Sequence, residues 1–259
     1  MALYRKYLSL QVKSAFQYRL AFFFDMFSSL LMTLATFFSI LLIFQNFETV
    51  GGYTLNEVLI TYSTVYCTFA LSETIFRGFD QFDKLVRTGE LDRLLIRPRS
   101  IFVQVMGWKF EFNKIGRILF SFALLIYALL SAGIVWSVMK VITVILMFIG
   151  SVIIFAGMFM LYSAVSIFTV DGIEAMNVLT NGGRDLCEYP IDIYSGFFRK
   201  VFTYIIPLGV VNYLPLQYLL DFEGTGLFNA FCPLLGFVFF GVCYLVFKWS
   251  LKKYKSTGS

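Results

Sequence analysis

The sequence predicts an all-α integral membrane protein with six transmembrane helices, and three observations support that fold class. Of the 259 residues, 59% are hydrophobic and only 14% are charged, whereas a soluble domain has about 25% charged residues. The mean hydropathy is +0.78. Six apolar stretches occur, each near the length of about 20 residues that an α-helix needs to cross the hydrocarbon core. A water-soluble fold could not bury this much apolar surface, so lipid must cover part of it.

The predicted spans are residues 20–44, 55–76, 115–136, 141–168, 201–220 and 227–247. The first is longer than the apolar core of a signal peptide and lacks a small-residue cleavage site, so it is predicted to be retained as a span. The fifth contains Pro207 and Pro215, and each proline removes a backbone N–H donor from a helix. It is therefore the least regular of the six.

The basic residues predict how the spans are oriented. Of the 21 Lys and Arg residues, all but Lys140 fall in the N-terminus, in the segments after the second and fourth spans, and at the C-terminus. Six spans place these segments on one side. Because cytoplasmic loops carry an excess of Lys and Arg, the sequence predicts a multi-pass protein of the cell (cytoplasmic) membrane with both termini in the cytoplasm. The net charge of +5 then reflects topology, and no nucleic-acid partner is predicted.

The composition also restricts the chemistry. The chain has no histidine and four cysteines, and no two cysteines form a CxxC pair. The lack of histidine excludes Ser-His-Asp and Cys-His nucleophilic sites and histidine-ligated metals. Three cysteines lie in apolar stretches, where a free thiol behaves as a small hydrophobic group. We therefore predict neither a catalytic residue nor a metal site in this chain.

The N-terminal segment is predicted to lie on the membrane surface. Arg5, Ser9, Lys13 and Gln17 recur every four residues, which places them on one face of a helix. Residues 1–19 are therefore predicted to form an amphipathic helix on membrane lipid. The alternative is a basic tail that only sets the orientation.

Two cytoplasmic segments follow from this topology. Residues 169–200 are predicted to form a partly helical element at the membrane surface. Residues 78–100, GFDQFDKLVRTGELDRLLIRPRS, concentrate charge in a chain that is otherwise poor in it. Apolar and charged residues alternate there at helical spacing, Gly89 interrupts the helix and Pro98 ends it. Such a segment just beneath the membrane is a docking surface for another protein, and the alternative is a helix that lies on lipid.

Two stretches resemble the type-2 ATP-binding-cassette (ABC) exporter permeases, a family of six-span bacterial membrane proteins. The first is GELDRLLIRPRS, in which the matching residues are Gly89, Leu91, Asp92, Leu94, Leu95 and Pro98. The second is YPIDIYSGFFRKVFTYIIPLGVVNYLP, in which they are Tyr189, Pro190, Tyr194, Arg199, Phe202, Pro207, Tyr213 and Pro215. The resemblance covers essentially the whole chain, so residues 1–259 are expected to form a single transmembrane permease domain.

The resemblance implies an assembly and a role for the segment after the second span. In that family two six-span permeases, identical or different, form the transmembrane dimer, and an ATPase subunit dimer binds beneath it. The segment after the second span is the coupling helix that fits a groove on the ATPase. The residues implied in coupling are Asp80, Phe82, Asp83, Lys84, Arg87, Gly89, Glu90, Leu91, Asp92, Leu95, Arg97 and Pro98. Phe82, Leu91 and Leu95 are expected to be the anchors buried against the ATPase.

The substrate pathway is predicted along the second span, because the family lines its central cavity with spans two and five. Hydroxyl side chains recur on this span at steps of three, four and four, which forms one stripe on a helix. The stripe consists of Thr61, Thr64, Thr68 and Ser72. The alternative is that small hydroxyl residues let helices pack closely and bond to backbone carbonyls.

Ionisable residues near the spans are read mainly as structural. Glu73 and Arg77 are four residues apart near a predicted membrane boundary, so they are expected to pair with each other. Substrate contact is the alternative, since ionisable groups within spans are often functional.

A gate is predicted where the fifth span is broken. Broken backbone at membrane depth persists only where protein or a water-filled cavity satisfies it. The family places a re-entrant element between spans five and six, and residues 208–223 are expected to form it here, with Pro207, Asn212 and Pro215 in the gate. A simple kinked span is the alternative.

These patterns predict the permease subunit of an ATP-driven exporter of a small amphipathic or hydrophobic substrate, whose class (drug, peptide, lipid or glycan) stays open. The chain lacks the G-x-x-x-x-G-K-[ST] loop that cradles phosphates. ATP and Mg are therefore expected on the partner ATPase, and this chain is expected to be non-catalytic and to bind no cofactor. One alternative is a membrane enzyme that modifies lipid, although the acidic residues are scattered. The other is the substrate-binding component of a vitamin importer, although such proteins have shorter loops than residues 78–117.

Overall fold

The computed structural model describes residues 17–169, 172–194 and 196–255 of the chain. Within these ranges the protein is helical, with no β-strand beyond one isolated bridge between Val50 and Tyr53. This confirms the predicted all-α membrane fold. The predicted surface helix over residues 1–19 lies outside the described residues except for its last three positions.

The helices that determine the architecture are numbered in chain order. They are α1 (Arg19–Asn46), α2 (Leu55–Asp80), α3 (Phe82–Arg87), α4 (Glu90–Leu95), α5 (Ile101–Trp108), α6 (Ile115–Ser131), α7 (Val138–Ser166), α8 (Gly172–Leu186), α9 (Gly196–Lys200), α10 (Leu208–Leu219), α11 (Leu227–Phe231) and α12 (Leu235–Lys253). One turn of π-helix, Val201–Ile205, continues α9.

Five helical segments in the described ranges are long and apolar enough to cross a membrane. They are Arg19–Asn46, Leu55–Arg87, Phe112–Ser131, Val138–Ser166 and Leu227–Lys253. They coincide with the first four and the last of the predicted spans. The end of the bundle that carries residues 81–114 is called the basic end here, and the other end is called the opposite end. α1 and α6 run away from the basic end, and α2, α7 and α12 return to it.

α2 is the central helix, because other helices cover it on nearly every side. Its Phe69 ring packs edge-on against Phe155 of α7, with centroids 5.0 Å apart. Its Tyr62 hydroxyl donates a 2.6 Å hydrogen bond to the carbonyl oxygen of Thr33 on α1. α1, by contrast, exposes most of its apolar side chains, as expected of a helix that faces lipid.

Small residues set the closest helix contacts, as is usual between helices in membranes. A Cβ atom added to Gly236 of α12 would lie 3.0 Å from the carbonyl oxygen of Gly150 on α7. The approach of α2 to α5 is closer still, since a Cβ atom on Gly78 would lie 1.8 Å from the carbonyl oxygen of Val105. Gly78 therefore lets α5 pack directly on the backbone of the central helix.

The segment that follows α7 takes a different course from the predicted one. Residues 169–200 were expected to stay on the same side as residues 78–117. In the structure α8 starts beside the basic end of α7, and Arg184 near its C-terminus lies over the ring of Tyr66, halfway along α2, at 5.3 Å. Asp192 then accepts a 3.2 Å hydrogen bond from Tyr53, which precedes the first turn of α2 at the opposite end.

Residues 172–193 therefore traverse the bundle. The 15 residues of α8 rise about 22 Å, and the following seven residues complete the distance. Because α8 contains Asn177, Asn181 and Arg184, its composition resembles that of a surface helix. Arg184 and Glu188 contact Tyr66 of α2, which explains why hydropathy missed this passage.

The segment predicted as the fifth span, residues 201–220, does not form one helix. The chain turns back at Ile206 and Pro207, so that α9 with its π-helical turn forms one arm and α10 forms the other. A Cβ atom on Gly209 would lie 2.9 Å from the Thr203 hydroxyl oxygen of the first arm. The first arm starts at the opposite end of the bundle, and the second arm returns to it. Residues 196–219 therefore form a re-entrant hairpin, which begins before the predicted 208–223.

This hairpin changes the distribution of charge. Arg199 and Lys200 lie in the first arm, at the end opposite to residues 81–114, whereas the sequence placed them on the same side. Arg184 lies at depth inside the bundle. The basic residues of the loop 84–117 and of the C-terminal end of α12 lie together at the basic end. The excess of Lys and Arg at one end of the bundle is therefore present but smaller than predicted.

We expect Gly78→Ala to destabilise the protein. Because the added Cβ atom would overlap the Val105 carbonyl oxygen, α5 has to move, and such overpacking costs about 1–3 kcal/mol. The measurement is the thermal unfolding midpoint in detergent. Gly241 of α12 is the matched control, since an added Cβ atom there meets nothing within 4 Å, and Gly241→Ala should leave the midpoint unchanged. Equal midpoints for the two variants would contradict the close packing.

We expect a cysteine at position 197 to react on the same side of the membrane as one at position 223, and on the other side from one at position 99. Phe197, Glu223 and Arg99 are exposed, and the four natural cysteines are buried, so background labelling should be low. The measurement is labelling of each single variant with an impermeant maleimide in intact cells and in inverted vesicles. If Phe197→Cys labels together with Arg99→Cys, residues 172–193 do not traverse the bundle.

Candidate functional site

The segment after α2 forms a compact helical loop at the basic end. α2 is kinked at Phe76 and ends at Asp80, and the chain then turns between α3 and α4 at Gly89, whose φ of +68° lies in the left-handed region. Glycine adopts this conformation without steric cost. Two short helices therefore pack side by side where one long helix would have projected from the membrane.

The apolar side of this loop faces the protein and not a partner. Phe82 and Leu91 have no exposed surface, and the Phe82 ring packs edge-on against Phe247 of α12 with centroids 5.5 Å apart. Their expected role as anchors against the ATPase does not fit this burial, because both already fill the core. The exposed apolar residues are Leu95 and Ile96, at 40% and 83% exposure.

The exposed tip consists of residues 95–98 (Leu95, Ile96, Arg97 and Pro98) and is called the lip here. Buried Gln104 of α5 supports it by donating hydrogen bonds to the carbonyl oxygens of Leu94 and Arg99, at 3.1 and 3.2 Å. Trp108 donates a 3.2 Å bond to Glu90 from the other end of α5. No specific sequence pattern predicts Gln104, which is the one amide side chain in the apolar octet of α5.

The charged residues predicted for coupling divide into two groups. Asp80 pairs with Arg77 on the last turn of α2, so it belongs to the interior. Asp83 accepts a 3.4 Å bond from Tyr162 of α7 and lies 3.8 Å from Arg87. Lys84 and Arg87 are exposed. The structure thus brings only part of the predicted set to the exterior.

An ion-pair network joins α2 to the start of α6. Buried Glu73 pairs with Arg117 and lies 3.4 Å from Arg77 and 3.9 Å from Lys114. Arg77 also contacts Glu111, at 3.0 Å. The expected pairing of Glu73 with Arg77 is present, and the larger network links the central helix to the chain that leaves the loop.

The network extends to the surface at Lys109. This ammonium group lies 3.4 Å from Glu111 and donates a 2.7 Å hydrogen bond to Gln81. Partial burial lowers the pKa of Lys109, although the Glu111 carboxylate opposes that shift. The lowered pKa means that desolvation of this ammonium group outweighs its attraction to Glu111.

The hydroxyl stripe of α2 lies inside the protein. Thr61, Thr64, Thr68 and Ser72 are at most 2% exposed. Ser72 donates a 2.9 Å bond to the carbonyl oxygen of Val152 on α7, and Thr68 donates a 2.7 Å bond to the carbonyl oxygen of Thr64. These contacts are those of the close-packing alternative. The pathway role of the stripe remains a prediction.

A polar cavity lies beside α2 at membrane depth, between α1 and residues 184–188. It measures about 530 Å³. Arg184 lies over the rings of Tyr66 and Phe69, at 5.3 and 5.0 Å, and Tyr66 donates a 2.5 Å bond to Glu188. Hydroxyl groups of α1 complete the wall, so this cavity can hydrogen-bond a polar guest in a region otherwise filled by lipid tails.

A second polar cavity of about 510 Å³ lies between α2 and α8 nearer the basic end, where Asn177 and Asn181 face Glu73 and Arg77. A pattern in the sequence matches this arrangement. Asn177, Asn181, Arg184 and Glu188 follow one another at steps of four, three and four, which places them on one helical face. In the described residues no group of three or more acidic or cysteine side chains is arranged to hold a metal ion.

The predicted gate residues lie in the re-entrant hairpin. Pro207 directly precedes α10, where its missing N–H is not needed. Asn212 is buried and accepts a 3.1 Å bond from Ser151 of α7, and Pro215 is buried within α10. The outer end of the hairpin is fixed by Asp192, which accepts hydrogen bonds from Tyr53 and from Tyr213 of α10.

Comparison with known proteins gives one result. A family model described as ABC-2 family transporter protein matches residues 30–258 of the chain, which is most of its length. No curated protein and no solved structure matches it significantly.

We expect Glu73→Gln to destabilise the protein strongly, because it leaves Arg117 buried without its carboxylate. Breaking a buried pair in this way costs about 3–5 kcal/mol. The double variant Glu73→Gln with Arg117→Gln should lose less than the sum of the two single variants, as contacting residues do. Unfolding midpoints in detergent measure the cycle. Arg87→Gln is the control, since its exposed pair should contribute about 1 kcal/mol or less. Strict additivity at Glu73 and Arg117 would contradict the pairing.

Proposed function

Because this chain belongs to the ABC-2 family of transporter proteins, we propose that it is the permease subunit of an ATP-driven exporter whose ATPase is a separate polypeptide. Family membership makes the chain a membrane component of a transport system. The proposal adds the direction of transport, the coupling to ATP and the assembly. ATP and Mg bind to the ATPase in this proposal, and the permease itself catalyses no reaction.

The observation that carries the proposal is the lip. Soluble loops between spans do not need two adjacent exposed apolar residues, such as Leu95 and Ile96, on a tip that a buried glutamine holds in place. Two exposed apolar residues next to the exposed Arg97 have the composition of an interface anchor beside a charged rim. Its position at the basic end fits an ATPase that binds beneath the membrane.

The same contacts supply a route for coupling. A push on the lip acts on α3 and α4, whose Phe82 and Leu91 are packed into the core. The displacement then reaches α2 through the kink at Phe76, and the Glu73 network carries it to α6. Rigid packed elements of this kind move together, because close-packed cores do not deform continuously.

The assembly follows from the same proposal. The basic end faces the cytoplasm and residues 172–193 are the fifth of six spans, so both termini are cytoplasmic. Two such permeases, identical or different, pair in the membrane above an ATPase dimer. The substrate passes beside α2 and α8, along the cavities next to Arg184 and Asn181, and an amphipathic substrate suits this mixed polar and apolar lining. The re-entrant hairpin around Pro207 lies toward the far side, where a gate would close the pathway.

We expect the double variant Leu95→Asp with Ile96→Asp to lose co-purification with the proposed partner ABC ATPase. Two carboxylates would replace the apolar anchor of the interface, and central anchors typically contribute 2 kcal/mol or more each, so retention should fall at least tenfold. The measurement is the ATPase-to-permease ratio after affinity purification in detergent.

Two control variants separate docking from folding. Val135→Asp with Val138→Asp changes two exposed apolar residues at the opposite end and should retain the ATPase fully. Leu91→Asp places a charge in the core and should reduce yield. Full ATPase retention by the lip variant would overturn the assignment of the lip as the docking site.

A further inference from the structure

A large cavity opens at the opposite end of the bundle, between the re-entrant hairpin and the start of the last long helical segment. It measures about 710 Å³. One wall is formed by the two arms of the hairpin, and the other is formed by α11 and the first turn of α12. Its lining includes the charged, aromatic and apolar residues Arg199, Lys200, Tyr213, Leu214, Phe228 and Leu235.

The rim of this cavity is cationic. Arg199 and Lys200 are consecutive and exposed, and neither forms an ion pair with any residue in the part of the chain that the structure describes. Among the described residues, no acidic side chain lines the cavity. Asp192, nearby on the hairpin, already accepts two tyrosine hydroxyls through one oxygen. Two positive charges are therefore available to a ligand.

The floor of the cavity is apolar. Val210 and Leu214 of α10 face Phe228 of α11 and Leu235 of α12 across it. Phe228 is 68% exposed, and Tyr204 at the cavity edge is 81% exposed. Aromatic side chains of this kind are enriched at membrane boundaries. A ligand held here would meet charge at one end and hydrocarbon at the other.

The position makes these cations unusual for this chain. The loops that share the opposite end carry Glu48, Asp221 and Glu223, and Lys140 there is paired with Asp221 at 2.6 Å. Arg199 and Lys200 thus add positive charge at an end of the bundle whose loops carry acidic residues and where Lys140 is paired. A guanidinium group binds phosphate oxygens in a bidentate manner, and charge-assisted bonds of this type are stronger than neutral ones.

We infer that this cavity binds an anionic phospholipid, with its phosphate on Arg199 and Lys200 and an acyl chain along Leu214, Phe228 and Leu235. The site belongs to the leaflet away from the basic end. The inference is independent of the ATPase and of the direction of transport, because it uses only the hairpin and the last two helices. A lipid bound there would fill the space behind the hairpin and stabilise it against α12.

The test is native mass spectrometry of the purified protein after detergent exchange, with defined additions of phosphatidylglycerol or phosphatidylcholine. We expect the unaltered protein to retain phosphatidylglycerol in preference to phosphatidylcholine. Arg199→Gln with Lys200→Gln should weaken phosphatidylglycerol binding about tenfold, since it removes two charge-assisted bonds. Both side chains are exposed, so this variant should keep the unfolding midpoint of the unaltered protein measured without lipid.

The matched control is Lys252→Gln with Lys253→Gln, which removes two consecutive exposed cations from α12 at the basic end. It should leave the tightly held phosphatidylglycerol in place. A second variant, Phe228→Gln, removes part of the apolar wall and should weaken the same binding.

Three results would overturn the inference. One is equal binding by the Arg199 and Lys200 variant and the unaltered protein. Another is an equal loss in the Lys252 and Lys253 control, which would indicate general attraction to net charge. The third is displacement of the lipid by equimolar inorganic phosphate together with an unchanged Phe228→Gln variant, which would assign the site to a free anion.

Discussion

Polar groups at the depth of the lipid core must find their partners within the protein, and this constraint organises the whole chain around α2. Its tyrosines bond to a carbonyl of α1 and to Glu188, its hydroxyl groups bond to carbonyls of α2 and α7, and its Glu73 binds Arg117. A lipid-facing helix could not carry these groups without a large cost in free energy. α2 is central because it is polar, and the apolar α1 lies outside it for the same reason.

The loop at the basic end combines a buried face with an exposed tip. Phe82 and Leu91 are anchored in the core, and the lip presents Leu95, Ile96, Arg97 and Pro98 to the outside. Burial of the larger apolar residues makes the loop stiff, and a stiff loop transmits displacement better than a flexible one. The charged residues divide in the same way. Asp80 pairs with Arg77 in the interior, whereas Lys84 and Arg87 are exposed.

The parts of the fold that could be predicted from sequence are those in which composition and environment agree. Four spans from Arg19 to Ser166 and the last span are apolar runs, and hydropathy located them within a few residues of their observed bounds. The segment after the second span was located by its charge and by Gly89. Hydropathy failed at residues 172–193, because Arg184 and Glu188 contact Tyr66 of α2, which is distant in sequence. Hydropathy also predicted a span at residues 201–220 that does not form, because this segment is apolar enough for a span but folds back at Pro207.

The site residues, too, could be predicted only as far as the pattern on a single helix allows. A pattern on one helix identifies which side chains share a face, but not what that face meets, so the stripe from Thr61 to Ser72 could be named without knowing that α7 covers it. Gln104 and Arg184 act through partners in other helices and leave no local pattern that is specific enough. The hairpin also depends on the contact of Asn212 with Ser151 of α7, a distant partner that one sequence does not specify.

The polar character of residues 172–193 has a consequence for how the protein is made. A segment with this composition would not leave the translocon for lipid by itself, since asparagine, arginine and glutamate each oppose partitioning. It has to enter against helices that already offer hydrogen-bonding partners. α1, α2 and α7 precede it in the chain, so synthesis from the N-terminus delivers the receiving surface first. If residues 172–193 are the proposed fifth span, the bundle assembles in chain order, because the helices that receive this polar segment are synthesised before it.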